Sequence, residues 1–219
     1  ESYKRVFFNL HWMEILFFTD VHSGEDSSEY YVEEVEDLRE KINFILDKGK
    51  SCDVLVCCGD LSFFGEGLKE SMNQLKDSGK TILIIPGNHE DLNELEKLCN
   101  KNVIVLHKKH LTIKDVTFAG YGGGGFDEKD KNLEKWANDL KSKVQGKLVL
   151  FTHAPPYNTK LDKLPLLDHR GSKSIRKAIE DLKPTIFASG HFHETFLEED
   201  VIGESRLINP GDKGIIIKI

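Results

Sequence analysis

Thr81-Ile82-Leu83-Ile84-Ile85-Pro86-Gly87-Asn88-His89-Glu90 carries the fold in miniature. A run that is mostly β-branched and apolar reads as a buried strand. Pro86 and Gly87 stop it. An amide, an imidazole and a carboxylate follow at once. The same grammar recurs on both sides. The apolar run Met13–Thr19 ends at Asp20-Val21-His22, and Val54–Cys58 ends at Gly59-Asp60. Lys147–Thr152 ends at His153, and Thr185–Ser189 ends at Gly190-His191-Phe192-His193.

Helical spacing fills the gaps between these strands. Tyr31, Val35, Leu38, Ile42, Ile45 and Leu46 predict a helix over 29–48 that closes at Gly49. Further helices are expected over 66–78, about 91–99, about 128–144, and from an N-cap at Ser172 to about Leu182. Two more strands are expected at 103–106 and 116–121, and a long Pro-containing loop joins His153 to about Gly171. The tail to Ile219 reads as short β-hairpins with turns at Gly203 and Asn209-Pro210-Gly211. Alternating apolar strands and amphipathic helices predict a layered α/β domain. The all-strand final third suggests a second sheet packed on the first. Ligand sites in open α/β sheets form beyond the carboxyl ends of strands, so the five polar clusters should meet at one edge.

The chain has 219 residues, enough for one domain with a sizeable core. The natural start of that domain reads as Met13, giving a domain over 13–219 and an N-terminal extension over 1–12 without a catalytic role. Hydrophobic residues make up 39% and charged residues 31%, an ordinary soluble balance. The net charge of -7 provides no basic footprint, so no stable nucleic-acid partner is expected. No apolar run has the roughly 18 residues of a membrane span, and the start lacks the pattern of a signal peptide. Cys52, Cys57, Cys58 and Cys99 form no C-x-x-C pair and read as reduced, mostly buried thiols of a cytoplasmic protein.

In extended chain, residues i and i+2 face the same way. Asp20 with His22, and His191 with His193, are therefore pairs able to grip one ion. The donors are carboxylate, amide oxygen and imidazole without thiolate, which suits Mn, Fe, Zn, Co or Ni better than calcium. Seven groups (Asp20, His22, Asp60, Asn88, His153, His191 and His193) are too many for one tetrahedral ion and suit two divalent ions sharing a carboxylate.

The ordered set D-x-H, G-D, G-N-H-E, H, G-H-x-H, running from Asp20 to His193, resembles the motif set of the calcineurin-like metallophosphoesterase superfamily. The resemblance implies a four-layer α/β/β/α sandwich with two packed mixed sheets. It implies a first ion held by Asp20, His22, Asp60 and His193, and a second by Asp60, Asn88, His153 and His191, with Asp60 as bridge. It implies that His89 is catalytic and not a ligand. Thr152–Thr159, His169–Arg176 and Ile208–Gly211 are similar to a prokaryotic branch related to the Icc-type cyclic-nucleotide phosphodiesterases. The absence of a longer acidic-basic tail after Gly59-Asp60-Leu61-Ser62 argues against a phosphoserine phosphatase.

The expected activity is hydrolysis of a small phosphate ester, a phosphodiester or cyclic nucleotide, with Mn as the leading metal. Phosphomonoesters, a nuclease and a non-catalytic protein-binding scaffold are the alternatives. A homo-oligomer is compatible with the sequence. Tyr121, Tyr157, His169 and Arg170 are candidate substrate contacts, and Glu90 and Asp53 are candidate supports for the ligands. Gly59 and Gly190 are either turn glycines or sites of close backbone approach. Gly122–Gly125 reads as a flexible loop near the site, since it lacks the grammar of a P-loop. His11, His107 and His110 match no motif.

Overall fold

The computed structural model describes residues 12–22 and 38–219. Of the expected extension over 1–12, all but Trp12 lies outside those residues, as do His11 and positions 29–37 of the first helix. In chain order the elements begin with β1 (Glu14–Phe18), α1 (Leu38–Lys48), β2 (Val54–Cys57), α2 (Leu68–Asp77), β3 (Ile82–Ile84), α3 (Leu92–Leu98) and β4 (Val103–Val105). There follow β5 (Lys109–Ile113), β6 (Val116–Tyr121), α4 (Lys131–Leu140), β7 (Lys147–Thr152), and the short hairpin β8 (Lys163–Leu164) and β9 (Asp168–His169). The chain closes with α5 (Lys173–Leu182), β10 (Ile186–Ala188), β11 (Glu199–Ile202), β12 (Ser205–Ile208) and β13 (Ile215–Lys218).

Two mixed sheets result. The first runs β13-β1-β2-β3-β4, and the second runs β11-β12-β10-β7-β6-β5. The central pairs β1–β2, β2–β3, β6–β7 and β7–β10 are all parallel. Alternation along each strand sorts the side chains into three layers of core. Ile15 and Phe17 of β1 point into the space between the sheets, where they join Phe118 of β6 and Phe151 of β7. Leu16 and Phe18 point outward onto Ile42 and Ile45 of α1 and Leu68, Met72 and Leu75 of α2. On the far side, Leu148 and Leu150 of β7 meet Leu133, Ala137 and Leu140 of α4 and Ile175 and Ile179 of α5. Strands covered on both faces read as continuous apolar runs for this reason. The architecture is the expected four-layer α/β/β/α sandwich.

Two local expectations need correction, and one further strand is not among those expected. The C-terminal strands do not all serve the second sheet: β13 crosses to the first and pairs antiparallel with β1, Phe17 opposite Ile215. Val201 and Arg206 do form the hairpin that turns at Gly203, and β12 then lies parallel to β10. Residues 109–113 form an edge strand, β5, antiparallel to β6. Their exposed Lys109 and His110 hid the strand pattern, as edge strands do when they carry charge and polarity outward. Helix α4 is shorter than 128–144. Asp130 caps it by accepting from the N–H groups of Asn132 and Leu133, which sets the start. Ser172 caps α5 as expected, accepting from Ile175 N.

Candidate metal centre

The five clusters follow the carboxyl ends of β1, β2, β3, β7 and β10. Three of those strands belong to the first sheet and two to the second. The site therefore sits across the seam between the sheets. Asp20, Asp60 and His191 each take a left-handed backbone, φ 51°, 50° and 75°, and His22 does so at 46°. Non-glycine residues adopt this region at a cost, and such outliers collect at functional sites. Here the sharp turn directly after a strand swings each side chain back over the strand end.

The donors meet in pairs across the seam. Asp20 Oδ1 lies 3.5 Å from His193 Nε2. Asp60 Oδ2 lies 3.3 Å from His153 Nε2, 3.7 Å from His89 Nε2 and 3.9 Å from His22 Nε2. Asn88 Oδ1 is 2.8 Å from His153 Nε2 and 3.0 Å from His191 Nδ1. His22 Nε2 and His193 Nε2 face each other at 3.1 Å. Asp20–His22–His193, His22–Asp60–His89 and Asp20–Asp60–His153 each place one donor atom apiece within 4.8 Å of the others. Fully extended backbone would pair His191 with His193. In the structure they part: His191 turns to Asn88 and His193 to His22, because His191 is left-handed and His193 opens a short 3₁₀ turn.

The electrostatics ask for a cation. Burial opposes ionisation of Asp20, but the bonds from His193 and His22 and the proximity of His153 outweigh it and hold the carboxyl well below its usual range. Burial likewise opposes Asp60, and the bond to His153 overcomes it. Burial would lower His153, yet Asp60 pushes it up to about 9. Burial and the charge of His153 bring His191 down to about 4, so its imidazole is neutral and its lone pair is free to bind. His22 Nδ1 and His191 Nε2 are buried without a hydrogen-bond partner. They are the ring atoms opposite those that face the cluster, so each can carry the proton and leave the facing nitrogen's lone pair for an ion. Two carboxylates, an amide oxygen and inward-facing imidazoles fit a pair of divalent ions.

The surrounding residues hold this arrangement. Gly190 must be glycine, since a Cβ there would run into Thr19 Oγ1 and Asp20 Oδ2. That close approach lets His191 N donate to Asp20 Oδ2 at 2.9 Å. Glu90 accepts from Asp60 N, Gly87 N, Ser62 N and Ser62 Oγ. Asp53 does not stand beside the site. It precedes β2, at the end opposite Asp60, and accepts from Glu14 N and Lys114 Nζ. His153 Nδ1 lies 3.0 Å from the Cys58 carbonyl, which leaves Nε2 to face the cluster.

The candidate substrate contacts each have a partner outside the donor cluster. Tyr121 is buried and its hydroxyl donates to Asp130 at 2.7 Å. His169 Nδ1 is 2.7 Å from the buried Asp162. Arg170 Nε donates to Leu167 O at 3.1 Å within its own hairpin, and Lys173 Nζ lies over the Tyr157 ring. His107 Nδ1 accepts from Gly122 N at 3.0 Å, and His110 is exposed on β5. The free cysteines are buried, apart from the half-buried Cys99.

Residues 13–195 match the family model for calcineurin-like phosphoesterases. The chain belongs to that family. This calcineurin-like phosphoesterase is a metal-dependent hydrolase of phosphate esters. A similar protein, described as uncharacterised, from Methanocaldococcus jannaschii is 36% identical over 75% of this chain and 80% of its own. A probable cyclic nucleotide phosphodiesterase of Fibrobacter succinogenes is 27% identical over 63% of this chain and 55% of its own. The fold recurs in a Thermus thermophilus protein with TM-score 0.69 and 13% identity, covering 93% of this chain and 91% of that one. It recurs in a dimetal phosphatase from Danio rerio with TM-score 0.60 and 10% identity, covering 90% and 86%. Among the described residues, no helix of this phosphoesterase is long and apolar enough to cross a membrane.

The aromatic residues at this phosphoesterase's donor cluster belong to none of its motifs. Phe64 packs on the His89 ring at 4.1 Å between centroids, and Phe126 on the His191 ring at 4.8 Å. The signal was present: a Phe63-Phe64-Gly65 loop directly after Gly59-Asp60, and Phe126 directly after the glycine run, place apolar residues where loops are ordinarily polar.

Proposed function

We propose that this phosphoesterase hydrolyses small phosphodiesters, cyclic nucleotides among them, at two divalent ions of the manganese type. The observation that carries the reading is Asp60, whose one oxygen lies within 4 Å of imidazoles contributed by β1, β3 and β7 loops. Asp20, His22, Asp60 and His193 would hold one ion. Asp60, Asn88, His153 and His191 would hold the other. Bound ions of this kind neutralise charge on phosphoryl oxygens and acidify a water enough to supply hydroxide near neutral pH.

The chain's own groups do the rest. Asp60 Oδ1 accepts from His89 N at 3.0 Å, which leaves Oδ2 free to serve both donor sets. Phe64 N lies 3.4 Å from His89 Nδ1, which orients the ring and leaves Nε2 for the site. That nitrogen faces the cluster, 3.7 Å from Asp60 Oδ2, and is placed to protonate a departing alkoxide. Donation requires the imidazolium form, which passes its Nε2 proton to the alkoxide and returns to neutral; burial lowers the pKa of His89 and so makes that imidazolium the stronger acid. Buried free thiols fit a reducing, cytoplasmic setting.

A phosphomonoesterase of the same mechanism is the second reading. Lys41 is the cation to test for a second negative charge, because its Nζ donates to the Val21 carbonyl at 3.2 Å, between the donors Asp20 and His22. The test compares kcat/KM for bis-p-nitrophenyl phosphate and p-nitrophenyl phosphate with Mn²⁺ loaded. The diester should be preferred. A monoester preference abolished by Lys41→Ala or Arg170→Ala would replace the diesterase reading with the second one.

A further inference from the structure

Two phenylalanines stand exposed at the donor cluster, one on each of two loops. Phe64 is 69% exposed and Phe126 is 82% exposed. Large apolar side chains left in water beside a polar site mark a surface that binds something. Each ring packs on an imidazole. Phe64 lies tilted by 50° on His89, and Phe126 stands edge-on to His191 at 78°. Phe63, half-buried, supports Phe64 at 4.9 Å and reaches His89 at 5.2 Å.

The backbone is bent to put them there. Phe64 is left-handed, φ 48°, a conformation that a bulky residue adopts only under constraint. The constraint is a tight turn in which Glu66 N donates to Phe63 O and Leu68 N to Gly65 O. Gly125 takes φ 140°, and a Cβ there would come within 2.6 Å of the His191 ring. No other residue lets the chain pass so near His191 and deliver Phe126 onto it. Two loops after different strands thus present aromatic rings beside one cluster of metal donors. Neither ring contributes to the three packed cores of the sandwich.

We infer that Phe64 and Phe126 are specificity-determining residues that receive a planar aromatic group carried on the phosphate, a nucleobase or an aryl ester. The inference rests on the reading of the cluster as a phosphate-ester site. A phosphate held by the donors directs its ester substituents outward over the rim, where the two rings stand. Stacking on an aromatic face tolerates any base or aryl ring, because each offers a π-face. The rings contribute binding and orientation, and take no part in proton transfer. These phenylalanines replace Tyr121 as the aromatic contact, since the Tyr121 ring is buried toward Trp136 and His107.

The test is calorimetric binding to the Mn²⁺-loaded protein of four probes: phenylphosphonate, methylphosphonate, adenosine 5′-monophosphate and ribose 5-phosphate. Phenylphosphonate should bind at least about fivefold more tightly than methylphosphonate, the low end of what base–aromatic stacking is worth. Phe64→Ala and Phe126→Ala should each lose most of that preference and leave methylphosphonate within about twofold of its original affinity. Phe64→Trp should retain the preference, which separates a stacking role from a structural one. Adenosine monophosphate bound better than ribose phosphate identifies the group as a base, and no such gain alongside a phenyl preference identifies an aryl ester. Equal affinity for phenyl- and methylphosphonate overturns the inference and leaves the phosphate-ester reading standing. Failure to bind Mn²⁺ and all four probes overturns that reading and the inference with it.

Discussion

The carboxylate of Glu90 accepts the backbone N–H of Asp60 at 3.0 Å, so the residue shared by both donor sets takes its position from a side chain outside them. The same carboxylate accepts from Gly87 N at 2.9 Å and from Ser62 N at 2.8 Å. It ties the loop after β2 to the loop after β3. Glu90→Gln replaces one acceptor oxygen with an NH₂ and leaves backbone donors unpaired. Each unpaired buried donor costs about 1–3 kcal/mol. We expect urea unfolding to show a loss of about 2–4 kcal/mol. Metal affinity, read by competition with a chelator, should fall about 10–100-fold. Unchanged values of both would show that Glu90 supports nothing.

Asp60→Asn should be the most damaging single substitution at the cluster. It removes the negative charge that faces His22, His89 and His153 and would lie between two cations. Elemental analysis of the purified variant should find the ion pair depleted. His22→Ala should deplete one ion more than the other. Two tightly held ions in Asp60→Asn would mean that the shared-carboxylate assignment is wrong.

His89→Ala should keep its metal and lose turnover. General acid catalysis contributes typically ~10²–10⁴-fold, and a fall in kcat of that order is expected. Substrates with very good leaving groups, p-nitrophenolate among them, need little protonation and should suffer less. An equal loss across a series of leaving groups would move His89 from proton donor to stabiliser of phosphoryl charge.

His107 should make stability depend on pH. Burial and then Lys108 lower its pKa, and its Nδ1 can accept from Gly122 N only while unprotonated. The folded pKa is therefore below the unfolded value, near 6.5. A depressed histidine contributes stability above its unfolded pKa and loses it as pH falls toward the folded one. His107→Asn keeps an acceptor for Gly122 and cannot titrate. The urea midpoints of the two proteins should run parallel above about pH 7 and converge or cross below about pH 6. Parallel profiles down to pH 5 would count against this.

Much of this molecule is legible in its sequence because the deciding signals are local. Strand alternation in Leu16-Phe17-Phe18, helical spacing in Leu68, Met72 and Leu75, and the cap Ser172 act within a few residues. The donors could be named for the same reason, since each follows its own strand. Other features came only from tertiary structure. Ile215 finds Phe17 across nearly the whole chain, and local pattern does not say which sheet a terminal strand will join. His191 and His193 diverge because His191 is left-handed, and that costly conformation persists only while Asp20 accepts its N–H across the seam. Phe64 and Phe126 belong to no local pattern, and two loops from different sheets bring them to the same imidazole cluster. Sequence period determines which way a side chain faces on its own strand. Which strands meet at the seam is set by the packing of two sheets, a contact between residues far apart in the chain.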